Sequence, residues 1–139
     1  MRIESRPVAV EMRAIVKRFP GVLANDRVEL AICSGEVHAL LGENGAGKTT
    51  LMSALCGLYR PDEGEIRIAC SDNDRPQLAD IGSPRDAIQL GIGMVHQHFV
   101  LSEPMNAVEN IIVGEESTGA ILNLQKETES IQKLCDQYD

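Results

Sequence analysis

The sequence predicts an α/β fold in which a buried strand runs into a glycine-rich turn and then directly into a helix. Three observations predict it. Glu36-Val37-His38-Ala39-Leu40-Leu41 is a short apolar run that reads as a strand. Gly42-Glu43-Asn44-Gly45-Ala46-Gly47-Lys48-Thr49 follows it at once. From Lys48 to Leu58 the chain then reads as a helix, with Leu51, Met52 and Leu55 on one face and Gly57 near its end.

The elements on either side are read in the same way. Val8 to Val16 alternates in part and suits a half-buried strand, and Val28-Glu29-Leu30-Ala31-Ile32 alternates more strictly. Pro61-Asp62-Glu63-Gly64 is a turn before a strand at Glu65-Ile66-Arg67-Ile68. The polar stretch from Cys70 to Asp80 reads as a surface loop. Ser83-Pro84-Arg85-Asp86 is a helix start, with Ser83 as N-cap, Pro84 at the first helical position and Gly91 as the stop. Gly93-Met94-Val95-His96 is a further short strand candidate. Asn106 is placed to cap a helix through Ile112, with Glu109 three residues on, and Ile121 to Tyr138 carries apolar residues at helical spacing.

Size and charge narrow the function classes. A chain of 139 residues is about one domain. No apolar stretch approaches the ~18 residues of a membrane helix, and the charged N-terminus is not a secretory signal. Any membrane role therefore runs through partner subunits. Net charge is −8, divided as +2 over residues 1–60 and −10 over residues 61–139. The acidic half argues against nucleic acid as a partner. Cys33, Cys56, Cys70 and Cys135 contain no C-x-x-C spacing, so they read as reduced packing thiols. His96 and His98 are one residue apart, a spacing more often ordinary than zinc-binding.

The chemistry concentrates in the glycine turn. Gly42, Gly47, Lys48 and Thr49 meet the pattern G-x-x-x-x-G-K-[ST] of a phosphate loop, or Walker A motif. Glycines let the backbone wrap a polyphosphate, and successive N–H groups then form an anion nest. The helix that follows directs the positive end of its dipole at the same phosphates. Lys48 supplies a point charge for the β- and γ-phosphates, Thr49 a hydroxyl for Mg²⁺, and Thr50 a contact to the α-phosphate.

The surrounding residues resemble the ABC-transporter ATPases, particularly those of bacterial importers for simple sugars and nucleosides. Lys17-Arg18-Phe19-Pro20-Gly21-Val22, Leu40 to Leu51, Ser83 to Ile88, Gly91 to Phe99 and Val108-Glu109-Asn110-Ile111 carry the resemblance. It spans about Val8 to Tyr138, with Gly91–Phe99 most like the nucleoside branch. It implies a P-loop NTPase core with an antiparallel β subdomain, and ATP and Mg²⁺ as ligands. Phe19 then matches the aromatic that stacks on adenine, and Gln97 the glutamine that contacts Mg²⁺ or the attacking water. The nucleotide-binding set becomes Phe19, Gly42, Glu43, Asn44, Gly45, Ala46, Gly47, Lys48, Thr49 and Thr50. Thr49 and Gln97 are the metal contacts, and Gln97 is the catalytic candidate.

The resemblance also implies what lies around the chain: transmembrane permease subunits, a second ATPase domain or subunit, indirectly a solute-binding protein, and a peripheral place on the cytoplasmic face of the membrane. It further implies that residues 1–139 are the N-terminal part of one ATP-binding domain that stops within the helical subdomain. No apolar run followed by Asp-Glu occurs, nor a Leu-Ser-Gly-Gly-Gln-like signature. Gly114 breaks the run before Glu115 and Glu116, which read as exposed. Two functions follow: ATP binding with hydrolysis driving solute import in the complete protein, or nucleotide binding without turnover. A GTPase is a third reading, opposed by the lack of an Asn-Lys-x-Asp motif. A core sheet lacking its usual neighbours is expected to leave unpaired edges and exposed apolar residues, and a marginally stable, aggregation-prone chain.

Overall fold

The computed structural model describes residues 6–69, 75–96, 101–113 and 124–138. It divides into two compact units, residues 1–95 and residues 96–139. The first is built on an antiparallel sheet.

Strand β1, Val8–Phe19, pairs with β2, Val22–Cys33, through a tight turn at Pro20-Gly21. Both strands are longer than their alternating cores suggest. Alternation lapses in β1 because Ala14 sits at φ 49° in a bulge, so the strand buries Met12 and then both Ile15 and Val16. Arg27 at φ 47° is the corresponding irregularity in β2, and Glu29 accepts the Ala14 N–H at 2.9 Å. The helix α1, Lys48–Leu55, follows the glycine turn and ends one turn earlier than its apolar pattern suggests. Gly57, at φ 75°, makes the stop. A side chain there would fall on the Ser83 carbonyl, so only glycine allows the turn to pack this closely.

Strand β3, Glu63–Ile68, lies antiparallel to β1 on the side away from β2. The segment expected to be loop contributes a two-residue strand, β4, Gln77–Leu78, giving the order β2-β1-β3-β4. Helix α2, Pro84–Gln89, has the expected cap: Ser83 accepts from the Asp86 N–H, Pro84 opens the helix, and Gly91 follows it at φ 81°. The core joins one sheet face to both helices: Met12, Ile15, Ile66 and Ile68 pack with Leu51, Ala54 and Leu55 of α1, and with Ile81 and Ala87.

Two expected strands do not form. Residues 36–41 and 93–96 form no regular element and have no ladder partner among the described residues, although both are apolar. Val37 is wholly exposed, with Leu41 and Val95 above four-fifths exposed. An apolar run has strand propensity, but a strand exists only where a neighbour takes up its N–H and C=O groups. Among the described residues of the first unit, the α/β character is therefore an antiparallel sheet with α1 and α2 packed on one face.

In the second unit, α3, Ala107–Ile112, carries a complete capping box: Asn106 accepts from the Glu109 N–H at 3.0 Å, and Glu109 accepts from the Asn106 N–H at 2.8 Å. Helix α4, Leu124–Tyr138, packs on α3 and buries none of its own residues. No helix among the described residues is long and apolar enough to cross a membrane.

Asp62 ties the end of β1 to the turn before β3. It accepts the Arg18 N–H at 2.6 Å and the Lys17 ammonium at 3.1 Å, which together hold its carboxyl below the usual carboxylate range. The Ser83 hydroxyl and the Gly82 N–H do the same for Asp86. A depressed folded-state value stabilises the fold above the ordinary carboxylate range, and the stabilisation is lost as pH falls through the lowered values. Urea midpoints are therefore expected to drop below about pH 4, and Asp62→Asn to flatten that drop while lowering the midpoint at pH 7. An unchanged acid profile in the variant contradicts the assignment.

Candidate nucleotide-binding site

The site is built where β2 meets the start of α1. Gly47 is the N-cap of α1 and sits at φ 84°, in the left-handed region. A Cβ there would fall on the Ala24 carbonyl oxygen and lie 2.8 Å from Asn25 Nδ2, so both backbone angle and space demand glycine. Asn25 itself is 5% exposed, and its Nδ2 donates to the Gly47 carbonyl at 3.2 Å. That carbonyl also accepts the Leu51 N–H at 2.9 Å, the first rung of α1. Asn25 Oδ1 is buried without a hydrogen-bond partner among the described residues.

The loop ahead of this cap is held from within. Lys48 turns back beneath it, and its Nζ donates to the carbonyls of Gly42 and Glu43, each at 2.7 Å. The Ala46 N–H closes a turn on the Glu43 carbonyl at 3.2 Å, and Gly45 is left-handed at φ 85°. No side chain caps α1 and no acidic residue stands in its first turn. The positive end of the helix dipole thus faces an open loop, since residues 42–46 and Thr49 are exposed and Gly47, Lys48 and Thr50 half-buried. This is an anion cradle: glycine-permitted close approach, an uncapped helix N-terminus and a fixed cation. A triphosphate–Mg²⁺ group fits its donor set, with Lys48 for phosphate oxygens and the Thr49 hydroxyl for the metal.

Phe19 ends β1 and is half-buried. Its Cα partner across the hairpin is Val22, three residues before Asn25 on β2. Three strand residues span about 10 Å between Cα atoms, so β2 runs from the hairpin end beside Phe19 to the Gly47 cap. The Phe19 ring meets Tyr59 edge-to-face, with centroids 5.4 Å apart, and Lys17 Nζ lies 5.6 Å from its centroid.

Of the residues expected from sequence, Gly42 to Thr50 form one continuous loop and helix start, while Phe19 stands at the hairpin end of β1 against Tyr59 and Lys17. Gln97 lies outside the described residues, as do His98, Phe99, Cys70, Glu115 and Glu116. Two residues were missed. Asn25 carries one local signal, an asparagine inside a strand, where its β propensity is poor. Tyr59 carries none beyond being one of the chain's four Phe and Tyr residues.

Sheet, loop and helix define a P-loop nucleotide-binding fold. The ABC transporter family profile matches residues 25–139, and the chain belongs to that family. It is 47% identical over 130 residues to the guanosine import ATP-binding protein NupO of Bacillus subtilis, covering 93% of this chain and 24% of that one. The nucleoside import ATP-binding protein NupA of Lactococcus lactis gives the same identity and coverage. The glucose import ATP-binding protein TsgD13 of Haloferax volcanii is 51% identical over 111 residues, 80% of this chain and 19% of that one. This chain thus spans about a quarter or less of the length of these relatives. Among solved structures, a nucleotide-free ATP-binding cassette of an ABC transporter superposes with TM-score 0.66 at 26% identity, over 82% of this chain and 43% of that one. The cbiO1 protein of Clostridium perfringens, part of the transporter complex cbiONQ, shares the fold at TM-score 0.59 and 22% identity, over 91% of this chain and 49% of that one.

The cap geometry makes two expectations. Gly47→Ala costs about 1–2 kcal/mol from the left-handed backbone alone, plus the collision with Ala24, and lowers the urea midpoint accordingly. Asn25→Asp turns a donor into an acceptor facing the Gly47 carbonyl and costs about 1–3 kcal/mol at neutral pH. Burial raises the pKa of such a carboxyl, so the deficit relative to the parent chain shrinks as pH falls toward about 5. A pH-independent deficit contradicts the Asn25–Gly47 contact.

Proposed function

We propose that this chain binds MgATP, and that it is the nucleotide-binding part of a protein whose ATP hydrolysis drives import of a small hydrophilic solute, a nucleoside or a sugar. One observation carries the reading: the uncapped N-terminus of α1 and the Lys48 ammonium face the same open glycine loop. The names of the relatives, import ATP-binding proteins for nucleosides, guanosine and glucose, support the solute class.

Each residue has a task in this reading. Backbone N–H groups from Gly42 to Thr50 take the phosphate oxygens, and Lys48 leaves its two loop carbonyls to pair with the β- and γ-phosphates. Thr49 holds Mg²⁺, which neutralises phosphate charge when bound, and Thr50 reaches the α-phosphate. Phe19 stacks on adenine, a contact worth about 1–3 kcal/mol. Gln97 orients the attacking water or touches the metal, and its loop passes closure to permease subunits at the cytoplasmic face of the membrane. The second ATPase domain or subunit completes the hydrolytic site, and a solute-binding protein delivers cargo to the permease.

A second reading, nucleotide binding without turnover by these 139 residues, is favoured by the lack of an apolar run followed by Asp-Glu. MgATP turnover that Lys48→Ala abolishes contradicts it.

Calorimetry tests the binding claim. Lys48→Ala is expected to weaken MgATP by at least about 10-fold, the loss of a charge-assisted contact of roughly 1.5–3 kcal/mol. Phe19→Ala is expected to weaken ATP by about 5-fold or more. Equal binding by the Lys48 variant, or a preference for GTP over ATP, overturns the reading.

A further inference from the structure

The geometry points to Tyr59 as a positioning residue for the base site: its ring fixes the plane of Phe19 on which the purine stacks. The inference rests on the stacking role given to Phe19 above. Tyr59 and Phe19 meet at an interplanar angle of 79° with centroids 5.4 Å apart, the edge-to-face arrangement that aromatic quadrupoles favour. An edge-to-face neighbour holds a ring in place without occupying both of its faces. A stacking platform needs both properties.

Tyr59 is itself held firmly, although 43% exposed. The Leu58 N–H donates to the Ser53 carbonyl at 2.9 Å, and the Tyr59 N–H reaches the same oxygen at 3.4 Å. Ser53 lies buried in α1, and Gly57 is packed against the Ser83 carbonyl with no room for a side chain. Lys17 adds a second restraint. Its ammonium donates to the Arg60 carbonyl at 2.8 Å and to Asp62 at 3.1 Å, and so stays 5.6 Å from the Phe19 centroid. Arg60 follows Tyr59 directly, so one short turn after α1 orders the ring through two contacts.

The arrangement has a functional consequence. Helix α1 begins at Lys48 and its C-terminal turn leads to Tyr59. Eight helical residues span about 12 Å. One rigid element therefore sets the phosphate grip at one end and the orientation of the base platform at the other. Ordering Phe19 in advance removes a rotamer cost from binding, and that cost applies only to ligands that carry a base.

Calorimetry on the 139-residue chain separates this role from simple loss of structure, using MgATP and, as a ligand without a base, Mg-triphosphate. Tyr59→Leu is expected to weaken MgATP about 3- to 10-fold and to leave Mg-triphosphate within about twofold. Tyr59→Phe keeps the edge and is expected to restore parental MgATP affinity. Parental MgATP affinity in Tyr59→Leu, a parallel loss of Mg-triphosphate, or no rescue by Tyr59→Phe overturns the inference. Phe19→Ala tells which claim has failed. If it weakens MgATP while Tyr59→Leu does not, only the positioning role is lost. If neither variant weakens MgATP, stacking on Phe19 is lost with it.

Discussion

Gly47 stands at φ 84° with the Ala24 carbonyl where its Cβ would be, and Asn25 hydrogen-bonds its own carbonyl. The rest of the site depends on this contact between β2 and the start of α1. Because Gly47 is left-handed, the chain enters α1 sharply and the first helical residue is Lys48, free to fold back under the loop. Because β2 touches the cap directly, the sheet sets where the helix begins. The apolar packing of Leu51, Ala54 and Leu55 on Met12, Ile15, Ile66 and Ile68 then fixes how the helix lies. The glycine loop's geometry and the hydrophobic core are thus two consequences of one helix placement.

The same helix connects chemistry at its two ends. At the N-terminus, uncapped N–H groups and Lys48 create a site for negative charge. Past the C-terminus, Gly57 turns the chain so that Tyr59 and the Arg60 carbonyl reach Phe19 and Lys17. Asp62 then ties that turn to β1 through Arg18 and Lys17. In the proposed function, stability and ligand recognition share these contacts, so variants in this region need both a stability and a binding measurement.

What was legible in the sequence was local. The Ser83-Pro84-Asp86 start and the Asn106–Glu109 box were readable because capping chemistry is settled within four residues. The phosphate loop was readable because its glycine spacing, lysine and hydroxyl are contiguous. Residues 36–41 show the limit: Val37, Leu40 and Leu41 have the composition of a strand, yet a strand requires a partner that no composition reports. Likewise β1 runs on past Val16 through the charged Lys17 and Arg18 to Phe19, and β4 lay inside a polar stretch. Asn25 and Tyr59 matter only through contacts 22 and 40 positions away in sequence, to Gly47 and Phe19, and nothing local announces such contacts.

The proposed function requires the backbone from Gly42 to Thr50, as oriented by β2, to be a polyphosphate cradle. Amide ¹H–¹⁵N spectra of the labelled chain, recorded while MgADP is added, test it most directly. A polyphosphate seated in the loop shifts Gly45, Gly47, Lys48 and Thr49 most, with smaller shifts at Asn25. Saturable shifts confined to other residues, or none at millimolar MgADP, would contradict it.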